Sequence, residues 1–344
     1  MKEVAVGTIR VKKDLCAYKR TRTSWKKVKV SLLNLKKVVK LYKAHKAFQT
    51  LIDKKDSRFL KGQLFEGREQ GARINVLPDG RKLNKAFSLF SKNLVIHDQK
   101  SDEHWDVLYQ NKGGTFSYVY TLDKILKSRE AKYKKVKAFG KVYPVLKKNA
   151  LKGLKKKGSL ALPLYTLLET HMRVGNEIYY KAHGHKGLST LKRKDIKIAG
   201  KKVSFNYVGK DGVPQSIVKE FPVVYINRLK EQLKGLKKDA FVFGGEHAMK
   251  EQKFKQAFKE YCGKEFYPHI VRSHYVTSAV KEFLKENRKP SKEEVKAFLL
   301  SVADGLGHKK LSKKTGLWED SYTVTLNHYV EPALSERVRN FIKK

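Results

Sequence analysis

Positive charge runs along the whole of this chain instead of gathering in a tail, and that limits what it can fold into and what it can meet. Lysine and arginine number 77 against 33 aspartate and glutamate, a formal net charge of +44. A body so positive repels itself unless it finds a polyanion. Nucleic acid is the natural one, because neutralising phosphates releases condensed counterions. The plainer alternative is a highly charged soluble surface without such a partner. With 344 residues and a hydrophobic fraction of 40%, the chain has material for two domains, each with a sizeable core, and is not a disordered polycation.

Cys16 and Cys262 lie far apart and form no CxxC pair, so neither a disulfide framework nor a thiolate zinc site is expected. The first residues lack the apolar core of a signal peptide, and no apolar run approaches the ~18 residues that span a bilayer. The expected location is therefore cytoplasmic or nucleoid, or a viral compartment, and not secreted, with no membrane partner.

Periodicity places the elements. Residues 24–55 carry apolar positions on one helical face, from Val28 to Ile52. Residues 56–80 read as irregular, and 92–122 as strands with a turn at Gly113–Gly114. Lys132–Leu154 reads as a helix, or two interrupted at Gly140, followed by a linker over Lys155–Gly158. Pro163 suits the first turn of a further helix. Residues 196–226 alternate like strands around Gly209-Lys210-Asp211-Gly212, whose Asp-Gly pair tolerates a tight hairpin. Lys250–Cys262 and Ser273–Glu286 read as helices, and Ser291 with Glu294 forms a capping box ahead of Val295. The fold class expected is α+β: a mixed N-terminal region with a small sheet, then a mostly helical domain with a small sheet and hairpin. Three segments are expected: a basic, partly helical extension over 1–90, a β-containing region and linker helix over 91–157, and a catalytic domain over 158–344.

Five pieces recur in order: His-Met-Arg-Val-Gly-Asn-Glu at 171–177, Tyr-Val-Gly-Lys-Asp-Gly at 207–212, Arg272 in Pro-His-Ile-Val-Arg-Ser-His-Tyr, Gly-Leu-Gly-His at 305–308, and Leu-Asn-His-Tyr-Val-Glu-Pro at 326–332. Cutting a phosphodiester by transesterification needs a nucleophile that stays attached, donors around the non-bridging oxygens and an acid for the departing alkoxide. Without a metal, Arg, His and Lys around a Tyr can meet those needs, and arginine's planar fork suits phosphate. A tyrosine ordinarily titrates near ~10, and neighbouring arginines favour its phenolate. Each residue taken alone has a plainer reading: Arg173 as a surface ion-pairing residue, Lys210 as a solvated turn lysine, His308 as a loop histidine, Arg272 as a phosphate clamp, Tyr329 as core.

Taken together and in this order, the five pieces resemble the active-site motifs of the small type IB DNA topoisomerases of poxviruses and bacteria, over roughly residues 100–335. The resemblance implies a two-lobed DNA clamp that binds double-stranded DNA as a monomer. It implies Tyr329 as the nucleophile, leaving a 3′-phosphotyrosyl link. Arg173 and Arg272 would hold the non-bridging oxygens and His308 would donate to one of them. Lys210 would protonate the 5′-oxygen. No ATP, metal or other cofactor is implied. Tyr179 and His269 match positions that contact DNA in such relatives; His269 stands where some viral relatives have lysine, so its charge would depend on pH.

One departure is the added segment Leu311–Thr325 between His308 and Tyr329; read as a linker, it leaves the resting position of the tyrosine open. The rivals are a tyrosine recombinase, which uses the same chemical logic, and a basic DNA-binding relative without catalysis. His183-Gly184-His185 resembles a metal pair, but no carboxylate or thiol cluster follows at ligand spacing, and no Walker-type phosphate loop is present.

Overall fold

The computed structural model describes residues 4–97 and 104–343. Contacts divide the chain into two compact units, Met1–Ala131 and Lys132–Lys344, a coarser division than the three segments expected. Mixed helices and small antiparallel sheets make the class α+β.

The first unit holds β1 (Ile9–Val11), β2 (Ala17–Arg20), β3 (Trp25–Val28), α1 (Leu33–Ala44), β4 (Gln63–Phe65), β5 (Arg68–Gln70), β6 (Ile74–Val76), β7 (Lys82–Phe87), β8 (Lys92–Ile96), β9 (Val107–Gln110) and β10 (Phe116–Val119). The strands form sheets in the orders β3-β2-β1-β4-β5, β6-β7 and β10-β9-β8. Leu35, Val38, Val39 and Tyr42 of α1 recur at helical spacing and pack into one core with Val11, Leu60, Phe87 and Leu94. The helix expected over 24–55 is shorter, because Trp25–Val28 pairs with β2 instead. The stretch expected to be irregular, 56–80, contains three strands. β4 and β5 are joined at Glu66 and Gly67, both at positive φ (48° and 68°), and glutamate at the first of these is not a turn signal.

The second unit contains most of the helix α2 (Leu122–Lys155), then α3 (Ala161–Thr170), α4 (Glu177–His183), β11 (Ile196–Ala199), β12 (Lys202–Val208), β13 (Pro214–Glu220), α5 (Val223–Leu233), α6 (Glu251–Cys262), α7 (Ile270–Glu286), α8 (Lys292–Asp304), β14 (Lys309–Leu311), β15 (Trp318–Asp320), α9 (Thr323–His328) and α10 (Pro332–Lys343). α2 continues through Gly140 and Pro144 with no interruption. Its buried stripe from Tyr133 through Val136, Phe139, Leu146, Ala150 and Leu154 keeps one face on the core, and tertiary packing overrides the weak propensity of Gly and Pro.

Two hydrophobic cores build this unit. α3 is buried on nearly every side, with only Glu169 half-exposed, and lies among α2, α5, α6 and the sheet β11-β12-β13. Val276, Val280, Leu299, Val302, Leu326 and Val338 pack α7, α8, α9 and α10 into the other. The capping box at Ser291 and Glu294 forms as expected and starts α8. Among the described residues no helix is long and apolar enough to cross a membrane.

Candidate active site

The Arg-Val-Gly-Asn-Glu stretch is a piece of local engineering that fixes one arginine. α3 ends at His171 in the left-handed region (φ 53°), and the chain is in neither helix nor strand until α4. Gly175 has φ +91°, and a side chain there would sit 2.8 Å from Thr190 Oγ1. A Cβ on Gly187 would come within 2.5 Å of the Arg173 carbonyl oxygen. This close approach lets Leu188 N–H donate to Arg173 O at 2.7 Å and Ser189 N–H to Val174 O at 2.6 Å. Asn176 caps α4 by accepting from the N–H groups of Ile178 and Tyr179. Glu177 anchors the loop at Ala248 through its N–H at 3.0 Å and pairs with Lys181 at 2.8 Å. Arg173 is thus held by its own backbone, leaving its guanidinium to project.

Arg272 lies in the first turn of α7 and is 2% exposed. Its Nη1 donates to His171 O at 2.6 Å, and its Nη2 donates to Leu306 O and to His308 Nε2, each at 3.0 Å. The guanidinium therefore ties the end of α3 to the loop after α8. Burial pulls it below its usual range while Tyr329 opposes that. Its Nε is buried without a hydrogen-bond partner among the described residues.

His308 follows a tight loop in which Gly307 has φ +65° and receives Gln215 Nε2 on its carbonyl at 3.1 Å. A side chain on Gly307 would collide with the Gln215 amide. His308 Nδ1 is 2.7 Å from Thr325 Oγ1. Burial, with Arg272 and Arg173 adding to it, pushes the imidazole down to about 3, so the ring is neutral near pH 7. Arginine has only donors, so Nε2 accepts from Arg272 and the single ring proton sits on Nδ1, facing Thr325.

Tyr329 closes α9 and is 3% exposed. Its hydroxyl accepts from Arg173 Nη2 at 3.0 Å. Its ring lies 5.0 Å from that of His308 and 5.2 Å from that of His269, with Arg272 5.4 Å from its centroid. Thr277 Oγ1 donates to its carbonyl at 3.1 Å. The added segment folds into the β14–β15 hairpin and leads into α9, which seats Tyr329 beside Arg173.

Lys210 stands on the turn between β12 and β13, where Asp211 and Gly212 take φ of 61° and 81°, as the Asp-Gly pair suggested. It is exposed and lines a cavity of about 110 Å³ together with Arg173, Arg272, His308, Lys186 and Tyr207. His269 is drawn into the cluster; burial first, then Arg272 and Arg173, hold it down to about 3. Tyr179 is not brought in: it is 64% exposed on α4, beside His183. His183 and His185 stack at 5.8 Å, and no third ligand gathers with them among the described residues.

Tyr207, Lys186 and Lys132 were not among the site residues expected from the sequence. Tyr207 lines the cavity with its phenol pushed up to about 12, mainly by burial, so it keeps its proton. Lys186 lines the cavity too, 2.8 Å from both Asp195 oxygens. Lys132 of α2 places Nζ 5.4 Å from the Tyr329 ring centroid. The strand alternation around Tyr207 was a usable clue, since it set that side chain on one face with Phe205; nothing local marked Lys132 among its neighbouring lysines.

The family described as the eukaryotic DNA topoisomerase I catalytic core matches residues 123–329, a stretch that holds Arg173, Lys210, Arg272 and His308 and ends on Tyr329. No curated protein matches the chain. Among solved structures, the XerH site-specific recombinase bound to difH substrate in a pre-cleavage complex is similar at 18% identity, over 47% of this chain and 46% of that one, with a TM-score of 0.32. Its post-cleavage complex with palindromic difH is similar at 16% identity, over 58% and 51%, with a TM-score of 0.35. The chain spans about half the length of these recombinase chains, and overlap this loose carries no weight for function.

Proposed function

We propose, on the premise that this chain belongs to the family of the eukaryotic DNA topoisomerase I catalytic core, that it is a type IB DNA topoisomerase. It nicks one strand of duplex DNA, lets the broken end rotate and reseals it, relaxing positive and negative supercoils without ATP or metal. The observation that carries this reading is the Tyr329 hydroxyl bonded to Arg173 beside the buried, incompletely paired Arg272.

In this reading Tyr329 Oη attacks phosphorus and loses its proton to solvent, the bond from phosphorus to the 5′-oxygen breaks, and a 3′-phosphotyrosyl link forms. Arg173 and Arg272 face the non-bridging oxygens. A buried donor without a partner is costly, and a phosphate oxygen would satisfy Arg272 Nε. Lys210 protonates the departing 5′-oxygen and takes that proton back when the strand is resealed, so the phosphodiester energy is kept. His308 holds one non-bridging oxygen, with a proton on Nε2 that it acquires in the DNA complex. Double-stranded DNA is the partner, consistent with the +44 charge.

The test is relaxation of a supercoiled plasmid in EDTA without ATP, across a salt series. Relaxation of both signs of supercoil is expected; unchanged topology overturns the reading. A tyrosine recombinase is the second reading, favoured by the His269-x-x-Arg272 spacing, and would join paired sites into new products.

A further inference from the structure

We infer that Lys132 is a positioning residue for the nucleophile: it pins the end of the helix that presents Tyr329 and sets a positive charge beside the phenol ring. This rests on the reading of Tyr329 as nucleophile.

α9 is only six residues long and follows an exposed hairpin, so it has little stability of its own. The carbonyls of its last turn have no onward partners within the helix. Lys132 Nζ, far away in sequence on α2, donates to His328 O at 2.6 Å, and the Tyr133 hydroxyl approaches the same oxygen at 3.5 Å. A lysine there also opposes the negative end of the helix. The same ammonium lies 5.4 Å from the Tyr329 ring centroid, within the range in which a cation is attracted to a ring face. Further along α2, Lys137 Nζ is 2.9 Å from Glu331 Oε1, while Lys281 of α7 is 3.7 Å from its other oxygen. α2 therefore grips the chain on both sides of the nucleophile, at 328 and at 331.

In-line attack depends on where Oη sits. A misplacement of ~1 Å can cost ~10²-fold in rate. The Lys132 ammonium also stabilises negative charge on Oη, both as it builds before attack and as it returns when the tyrosine leaves during resealing. Cleavage and religation should therefore fall together when it is removed.

The experiment uses the full chain and a nicked duplex whose short cleaved fragment diffuses away, with protein at saturation. Lys132→Met keeps the stem and removes the charge and donor; Lys132→Arg keeps both. Lys132→Met is expected to slow cleavage by ~10–100-fold and religation by a similar factor, with melting temperature and DNA affinity (measured in a Tyr329→Phe background) unchanged. Lys132→Arg is expected to recover most of the loss. The inference is overturned if Lys132→Met cleaves at the wild-type rate. It is equally overturned if the loss vanishes at saturation with a matching drop in affinity, which makes Lys132 a plain phosphate contact. Lys132→Arg as slow as Lys132→Met, with both melting early, also overturns it. A wild-type chain that forms no adduct sinks the underlying reading and this one with it, whereas an active wild type beside an unimpaired Lys132→Met sinks this one alone.

Discussion

Arg173 reaches 3.0 Å from Nη2 to the hydroxyl of Tyr329, so the segment after α3 and the end of α9 are joined through an arginine and a tyrosine. If that contact carries over to the transition state, Arg173→Ala should slow single-turnover cleavage by ~10²–10³-fold, the usual effect of losing one such donor. Arg173→Lys should recover little, because an ammonium cannot reproduce the planar fork. Cleavage by Arg173→Ala at near wild-type rate would remove Arg173 from the chemistry.

The Arg272–His308 contact leads to a second prediction. Nitrogen NMR of the free protein near neutral pH should show the His308 proton on Nδ1, with Nε2 bare, since Nε2 accepts from Arg272 and Nδ1 faces Thr325. In a complex of Tyr329→Phe with duplex DNA, Nε2 should gain a proton, because a phosphate anion favours the charged ring. A protonated Nε2 in the free protein contradicts the arrangement.

Three half-buried imidazoles give the protein a pH signature. His171, His269 and His308 are each held down to about 3, with burial the leading cause in every case. An unfolded histidine titrates near ~6.5, so between about 3 and 6.5 the unfolded chain binds more protons. Stability should be full above ~6.5 and fall as pH drops, by up to ~1.4 kcal/mol per pH unit for each histidine. Urea midpoints for the free protein should decline steadily from pH 7 to pH 5. A flat midpoint over that range would show that these rings titrate normally.

Gly187→Ala tests the platform beneath Arg173. Its φ of −151° suits any residue, so the penalty comes from the new methyl meeting Arg173 O at 2.5 Å. We expect a loss of ~1–3 kcal/mol in stability and a larger fractional loss of cleavage than of DNA binding. An unchanged cleavage rate would show that the backbone of Arg173 can yield freely.

What the chain disclosed of itself followed the range of the forces involved. Asp211-Gly212 was legible because the positive φ angles it needs are satisfied within the turn itself. The capping box of α8 was legible for the same reason. The β3 strand was not, since Lys26 and Lys27 join a sheet only by pairing with Lys19 and Tyr18. Nor was the role of Lys132, one lysine in a run with Lys134, Lys135 and Lys137, because only the fold determines which of them faces His328. The segment between His308 and Tyr329 was visible as extra length; that it becomes a hairpin depends on Lys309 finding Asp320 across it.

The most direct test of the account is the identity of the covalent link. Wild type and Tyr329→Phe are mixed with a nicked duplex labelled on the 3′-phosphate side of the cleavage point, denatured, and the labelled peptide is sequenced. Wild type is expected to give a DNA–protein adduct that maps to Tyr329, and Tyr329→Phe to bind DNA normally with no adduct. An adduct that persists in Tyr329→Phe, or that maps to a different tyrosine, would contradict it.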